Sequence, residues 1–84
     1  MQKLLEELKM KSYAVGIAKC RISYDTELSS DERKELILFI RDAYAEIKRL
    51  QTVLYYKYDV SYSDSAFAHS EYFNFGYFNQ KEMI

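Results

Sequence analysis

His69 is the chain's only histidine and Cys20 its only cysteine, so any imidazole or thiol chemistry must run through them. His69-Ser70-Glu71 sets a base, a hydroxyl and a carboxylate side by side. Consecutive residues on a helix or strand point in different directions, however, and do not assemble the relay that activates a nucleophile. His69 is therefore expected at the surface or packed inside. One histidine and one cysteine fall short of a tetrahedral zinc set within one chain, and no glycine-rich loop is present to cradle a phosphate. The carboxylate pairs Glu6 with Glu7, Asp31 with Glu32, and Asp42 with Glu46 lie among lysines and arginines, as on an ordinary solvated helix face. The expectation is a non-enzymatic protein with no catalytic residues, no metal and no cofactor.

Recognition chemistry is better represented. Ten of the fourteen aromatic residues lie between Tyr55 and Ile84, where they mix with Ser, Asn and Asp. Rings bearing hydroxyls supply large contact area at low entropic cost and still hydrogen-bond, which suits them to binding surfaces. Tyr55, Tyr56, Tyr58 and Phe67 are assigned mainly to core packing. Tyr62, Tyr72, Phe73, Phe75, Tyr77 and Phe78 are the candidate partner-binding residues, with a core role the competing assignment. Disorder of this Ser- and Asn-containing terminus is a third. A basic stripe of Lys34, Arg41 and Lys48, with Arg49 beside it, recurs every seven residues. It offers an electrostatic contact to phosphate or to an acidic partner, although Glu35, Asp42 and Glu46 interleave with it and a solvated face is the favoured reading.

The elements that carry these residues follow from periodicity. Ser29 or Ser30 followed by Asp31 and Glu32 is an N-cap signal, because a hydroxyl and acidic residues satisfy and complement the free amides of a first helical turn. From it Leu36, Ile40, Ala43, Ile47, Leu50 and Val53 or Leu54 recur at steps of about four and three, predicting one helix to about Tyr58. Leu4, Leu5, Leu8, Val15, Ala18 and Ile22 form a similar stripe in the first segment. Residues 13–24 are read as helix, although their β-branched and aromatic content also suits a strand. Gly16, which costs a helix about 1 kcal/mol relative to Ala, is explained with Ala14 and Ala18 by close helix packing. Asp25 to Ser30 then form the turn of an antiparallel αα-hairpin.

The predicted fold is all-α, a single domain: a hairpin of two long helices over residues 1–58, with the aromatic segment 59–84 packed against it. That segment is either a short helix over Ala66 to Phe73, capped by Ser63 or Asp64 with Gly76 near its end, or an extended piece. The run Leu36-Ile37-Leu38-Phe39-Ile40 is apolar all round, so something beyond the first helix must cover it. The C-terminal segment and a second copy of the chain in a homodimer are the two candidates.

Composition bounds the rest. Eighty-four residues with no possible internal disulfide make a marginally stable unit that gains from a partner. No apolar stretch approaches a membrane span and the acidic, amphipathic start is unlike a targeting peptide, so a complete, soluble, cytoplasmic chain is expected. The net charge of −1 is too balanced for a nucleic-acid mimic or a nonspecific nucleic-acid binder. Eight Lys against four Arg in so compact a chain suit a phage or mobile-element origin. The leading expectation is a small protein-binding protein, an adaptor or inhibitor acting through its Tyr/Phe-rich surface. The alternative is a nucleic-acid-binding regulator that combines the basic stripe with ring stacking.

Overall fold

The computed structural model describes residues 1–84, which form three helices: α1 (Gln2–Tyr24), α2 (Ser30–Tyr58) and α3 (Tyr62–Met83). The 29 residues of α2 account for the 43 Å long axis of the molecule, as a rise of about 1.5 Å per residue requires. No helix is long and apolar enough to cross a membrane.

Each connection is made by local polar chemistry. α1 gives way to extended backbone at Asp25, whose carboxylate accepts a 3.0 Å hydrogen bond from the Glu27 amide and so opens the turn. Ser29 then closes a reciprocal capping box: the Glu32 amide donates to Ser29 Oγ at 3.1 Å, and the Ser29 amide donates to Glu32 Oε1 at 3.2 Å. Two orphan donors are thereby satisfied at the start of α2. At its other end Asp59 takes the left-handed conformation, φ 60°, returning its amide to the last turn. A short polar side chain tolerates that geometry where a bulky one does not. Ser61 caps α3 by accepting from the Asp64 amide at 3.1 Å.

The helices run up, down and up. Arg33 of α2 donates a 2.7 Å hydrogen bond to the Ile22 carbonyl near the end of α1, so α1 and α2 are antiparallel about their short turn. Tyr55 stacks on Tyr62, and Tyr44 meets His69 edge to face, which sets α3 antiparallel to α2. Parallel α1 and α3 follow, with Ser12 beside His69 at one level and Tyr24 beside Tyr77 further along.

The core sits toward one end of this bundle. Leu8 and Val15 of α1 interlock with Ala43, Ile47, Leu50 and Leu54 of α2, and Phe73 and Ala68 of α3 pack against the cluster. Fully burying each large aliphatic chain contributes about 1.5–3 kcal/mol. Val15, which by itself favours a strand, is fully buried here, so residues 13–24 are helical because packing outweighs a small local preference.

Three expectations need correction. The C-terminal segment is neither a short helix nor extended, since α3 covers 22 residues, is capped by Ser61 rather than by Ser63 or Asp64, and carries Gly76 through its interior. The main helix pair is also not the hairpin: α1 packs more extensively on α3 than on α2. Finally, α3 does not cover the apolar run of α2, where Ile37, Leu38 and Phe39 remain 52%, 49% and 43% exposed. One geometric fact, the close approach of α3 to α1, explains the last two.

Candidate functional site

That approach is made by two glycines. A Cβ built on Gly16 would lie 2.8 Å from the Tyr77 amide nitrogen, and one on Gly76 would lie 2.9 Å from the Tyr13 carbonyl carbon. Each helix therefore rests on the other's backbone. Ser12, Gly16 and Cys20, four residues apart along α1, are all buried beneath α3. Small residues at helical spacing let two backbones approach more closely than the usual 8–10 Å between axes. Burial also raises the Cys20 thiol above its ordinary pKa.

His69 belongs to this interface. Its Nδ1 lies 2.7 Å from Ser12 Oγ, while Ser12 donates its only hydroxyl proton to the Leu8 carbonyl at 2.8 Å. With that proton committed to Leu8, the imidazole donates from Nδ1, so Nδ1 carries a proton. Partial burial lowers the His69 pKa, because desolvation disfavours the imidazolium. This pair resembles a Ser–His dyad only in composition: the hydroxyl is fully buried and its proton is committed to the helix. Ser70 and Glu71 are exposed on α3, and no three His, Cys, Asp or Glu side chains converge as metal ligands.

The six candidate binding rings divide between the two sides of α3. Tyr72, Phe73 and Tyr77 are half-buried toward α1, with Tyr72 under the Lys9 ammonium at 5.3 Å, Phe73 against the core and Tyr77 edge-on to Tyr24. Tyr62 is exposed but held by its stack on Tyr55, ring centroids 4.4 Å apart. Phe75 and Phe78 face solvent. They are joined by Phe67, 69% exposed, which composition had assigned to the core together with Tyr55, Tyr56 and Tyr58, and those three are exposed as well. The helix phase set by Gly76 separates the groups, since residues on its side of α3 meet α1 and those opposite cannot.

The basic stripe is also outward. Lys34, Arg41, Lys48 and Arg49 are all exposed. Arg41 pairs with neighbouring Asp42 at 3.3 Å and Arg49 with Glu46 at 3.0 Å, whereas neither lysine is in an ion pair.

A surface that periodicity alone does not reveal lies between α1 and α2, on the side away from α3. Two open grooves of about 370 and 500 Å³ meet at Ala14 and Phe39. Their apolar floor includes Met10, Ala14, Ile17, Leu36, Phe39 and Ala43. The available signal was the interleaving of Glu32, Glu35, Asp42 and Glu46 with Leu36, Phe39 and Ala43 at steps of three and four. It was hidden because Leu36 and Ala43 also belong to the core stripe.

No family model, curated protein or solved structure matches the chain, so its function must be argued from these surfaces.

Proposed function

We propose that this chain is a non-enzymatic protein-binding module, an adaptor or an inhibitor, that presents the rings on the outer side of α3 to another protein. The observation that supports this reading best is the exposure of Phe67, Phe75 and Phe78, at 69%, 49% and 55%. Large rings left in water on one helix are costly unless a partner removes them from it. Tyr72, Phe73 and Tyr77 support the outer rings from beneath by fixing α3 on α1, and exposed Tyr62 extends the surface toward the helix start. Glu71 and Asn74, exposed among the outer rings, can answer a partner's polar groups at the rim.

The test couples affinity capture from the native cell, with nuclease added, to variants of the surface. Phe75→Ala and Phe78→Ala should each leave the melting temperature within a degree or two, and at least one should cost about 2 kcal/mol or more of affinity. Phe73→Ala should instead lose stability. Equal capture by the wild type and by the Phe75→Ala, Phe78→Ala double variant would overturn the reading.

Exposed, unpaired Lys34 and Lys48 favour the second reading, nucleic-acid binding through α2. Phosphate affinity falls steeply with salt as counterions are released. Heparin retention that Lys34→Ala and Lys48→Ala abolish would support that reading, and no retention retires it.

A further inference from the structure

We propose that the groove between α1 and α2 is a second docking site, and that it takes a basic amphipathic helix from a partner protein. It has the shape of a missing fourth helix. The lining runs from Glu7 to Arg21 on α1 and from Glu32 to Glu46 on α2, a length of about 21 Å on each at 1.5 Å per residue. Two antiparallel helices with an apolar floor between them offer the cradle into which an amphipathic helix sets residues at i, i+3, i+4 and i+7. Nothing in the chain competes for the space, because α3 contributes no residue to either stretch of the groove.

Charge selects the occupant. Glu7, Glu32, Glu35, Asp42 and Glu46 line the groove against only Lys11 and Arg21. Asp42 and Glu46 are paired with Arg41 and Arg49, which lie outside the lining, so the unneutralised negative charge of the groove rests on Glu7, Glu32 and Glu35. Glu7, Glu32 and Glu35 form no ion pair, while Arg21 is drawn to Asp25 at 3.7 Å. A helix with leucine-type residues on one face and Lys or Arg along its borders satisfies both floor and rim. A second copy fits poorly, because twofold association lays the same surface on itself and would set five carboxylates against five. The groove and the rings of α3 lie on different sides of the bundle, so one chain can hold two partners, which favours an adaptor over a simple inhibitor.

The test uses two synthetic helical peptides of about sixteen residues, roughly the groove's length. They share the same leucine pattern, one bordered by Lys and the other by Glu, and each is titrated into the isotope-labelled full chain. The Lys peptide should bind and shift the amides of Met10, Ile17, Leu36 and Phe39, and added salt should weaken it. The Glu peptide should bind at least about tenfold more weakly. Glu7→Lys with Glu35→Lys should weaken the Lys peptide by a similar factor, with helix content and melting temperature unchanged. Phe75→Ala with Phe78→Ala should leave it alone. Equal binding of both peptides, no binding, shifts confined to Phe67, Phe75 and Phe78, or concentration-dependent shifts in the groove of the free chain would each overturn the inference. None of these touches the capture experiment on α3, which stands or falls separately.

Discussion

Gly16 and Gly76 lie in the same α1–α3 contact with no room for a side chain on either: the backbone of Phe73 and Tyr77 occupies the place of a Cβ on Gly16, and that of Tyr13 the place of a Cβ on Gly76. Two effects of alanine therefore oppose one another. In a helix interior Gly→Ala gains about 1 kcal/mol. Forcing a methyl against backbone atoms that cannot swing aside costs typically 1–3 kcal/mol or more. The clash should win.

Gly16→Ala and Gly76→Ala are thus expected to destabilise the protein in denaturant melts, against the direction that helix propensity predicts. Cys20, buried beside this contact with its thiol pKa raised, supplies a second readout. Its labelling by a thiol reagent should be slow in the wild type and faster in both variants. A stabilised Gly16→Ala protein would mean that the helices do not meet as closely as described.

The lopsided core predicts a contrast between two leucines. Leu8 is fully buried and Leu38 is 49% exposed. Leu8→Ala should cost about 2–5 kcal/mol through lost burial and an unfilled cavity, whereas Leu38→Ala should stay within about 0.5 kcal/mol. Thermal and chemical melts of the two variants measure the difference. Comparable losses would place Leu38 under cover.

Stability should also depend on pH through His69. Its folded pKa is lowered by desolvation, so between that value and the unfolded value of about 6.5 the unfolded chain binds more protons than the folded one. Stability is then fully present above about pH 6.5 and is lost as pH falls from there toward the folded pKa. Chemical melts at about pH 7.5 and pH 5.5 should show the loss in the wild type, with less of it in His69→Gln, which cannot take up a proton. Equal pH dependence in the two proteins would assign the effect to other groups. An imidazole NMR titration would locate the midpoint directly.

Local chemistry was legible wherever its partners are close in sequence. The Ser29–Glu32 capping box spans three residues, and the stripe from Leu36 to Leu54 repeats along one helix, so both can be read without knowing the fold. Leu8, Val15, Ala43, Ile47, Leu50 and Leu54 were recognisable as core for the same reason. Ser61 was not read as the cap of α3, and Phe67 was placed inside, because that segment is aromatic on nearly every face and its periodicity does not distinguish inside from outside. The His69–Ser12 hydrogen bond spans 57 positions, a pairing that no local pattern announces.

The amino-acid sequence by itself determined where α2 begins, that its stripe and the one in the first segment pair across a short turn, and how many large rings must find a place. Tertiary structure decided what those rings touch. Gly16 looked like a small residue at a helix contact, but only the fold shows that it rests on the backbone of Phe73 and Tyr77 while Gly76 rests on that of Tyr13, and that the two draw α3 onto α1. In contact with α1 along its length, α3 meets α2 mainly near Tyr62, Ser65 and His69 and leaves Ile37, Leu38 and Phe39 uncovered. The physical reason is range: caps and stripes are set by interactions within one helix, while the choice of neighbour depends on how closely two backbones can approach, a property of residue pairs far apart in the chain.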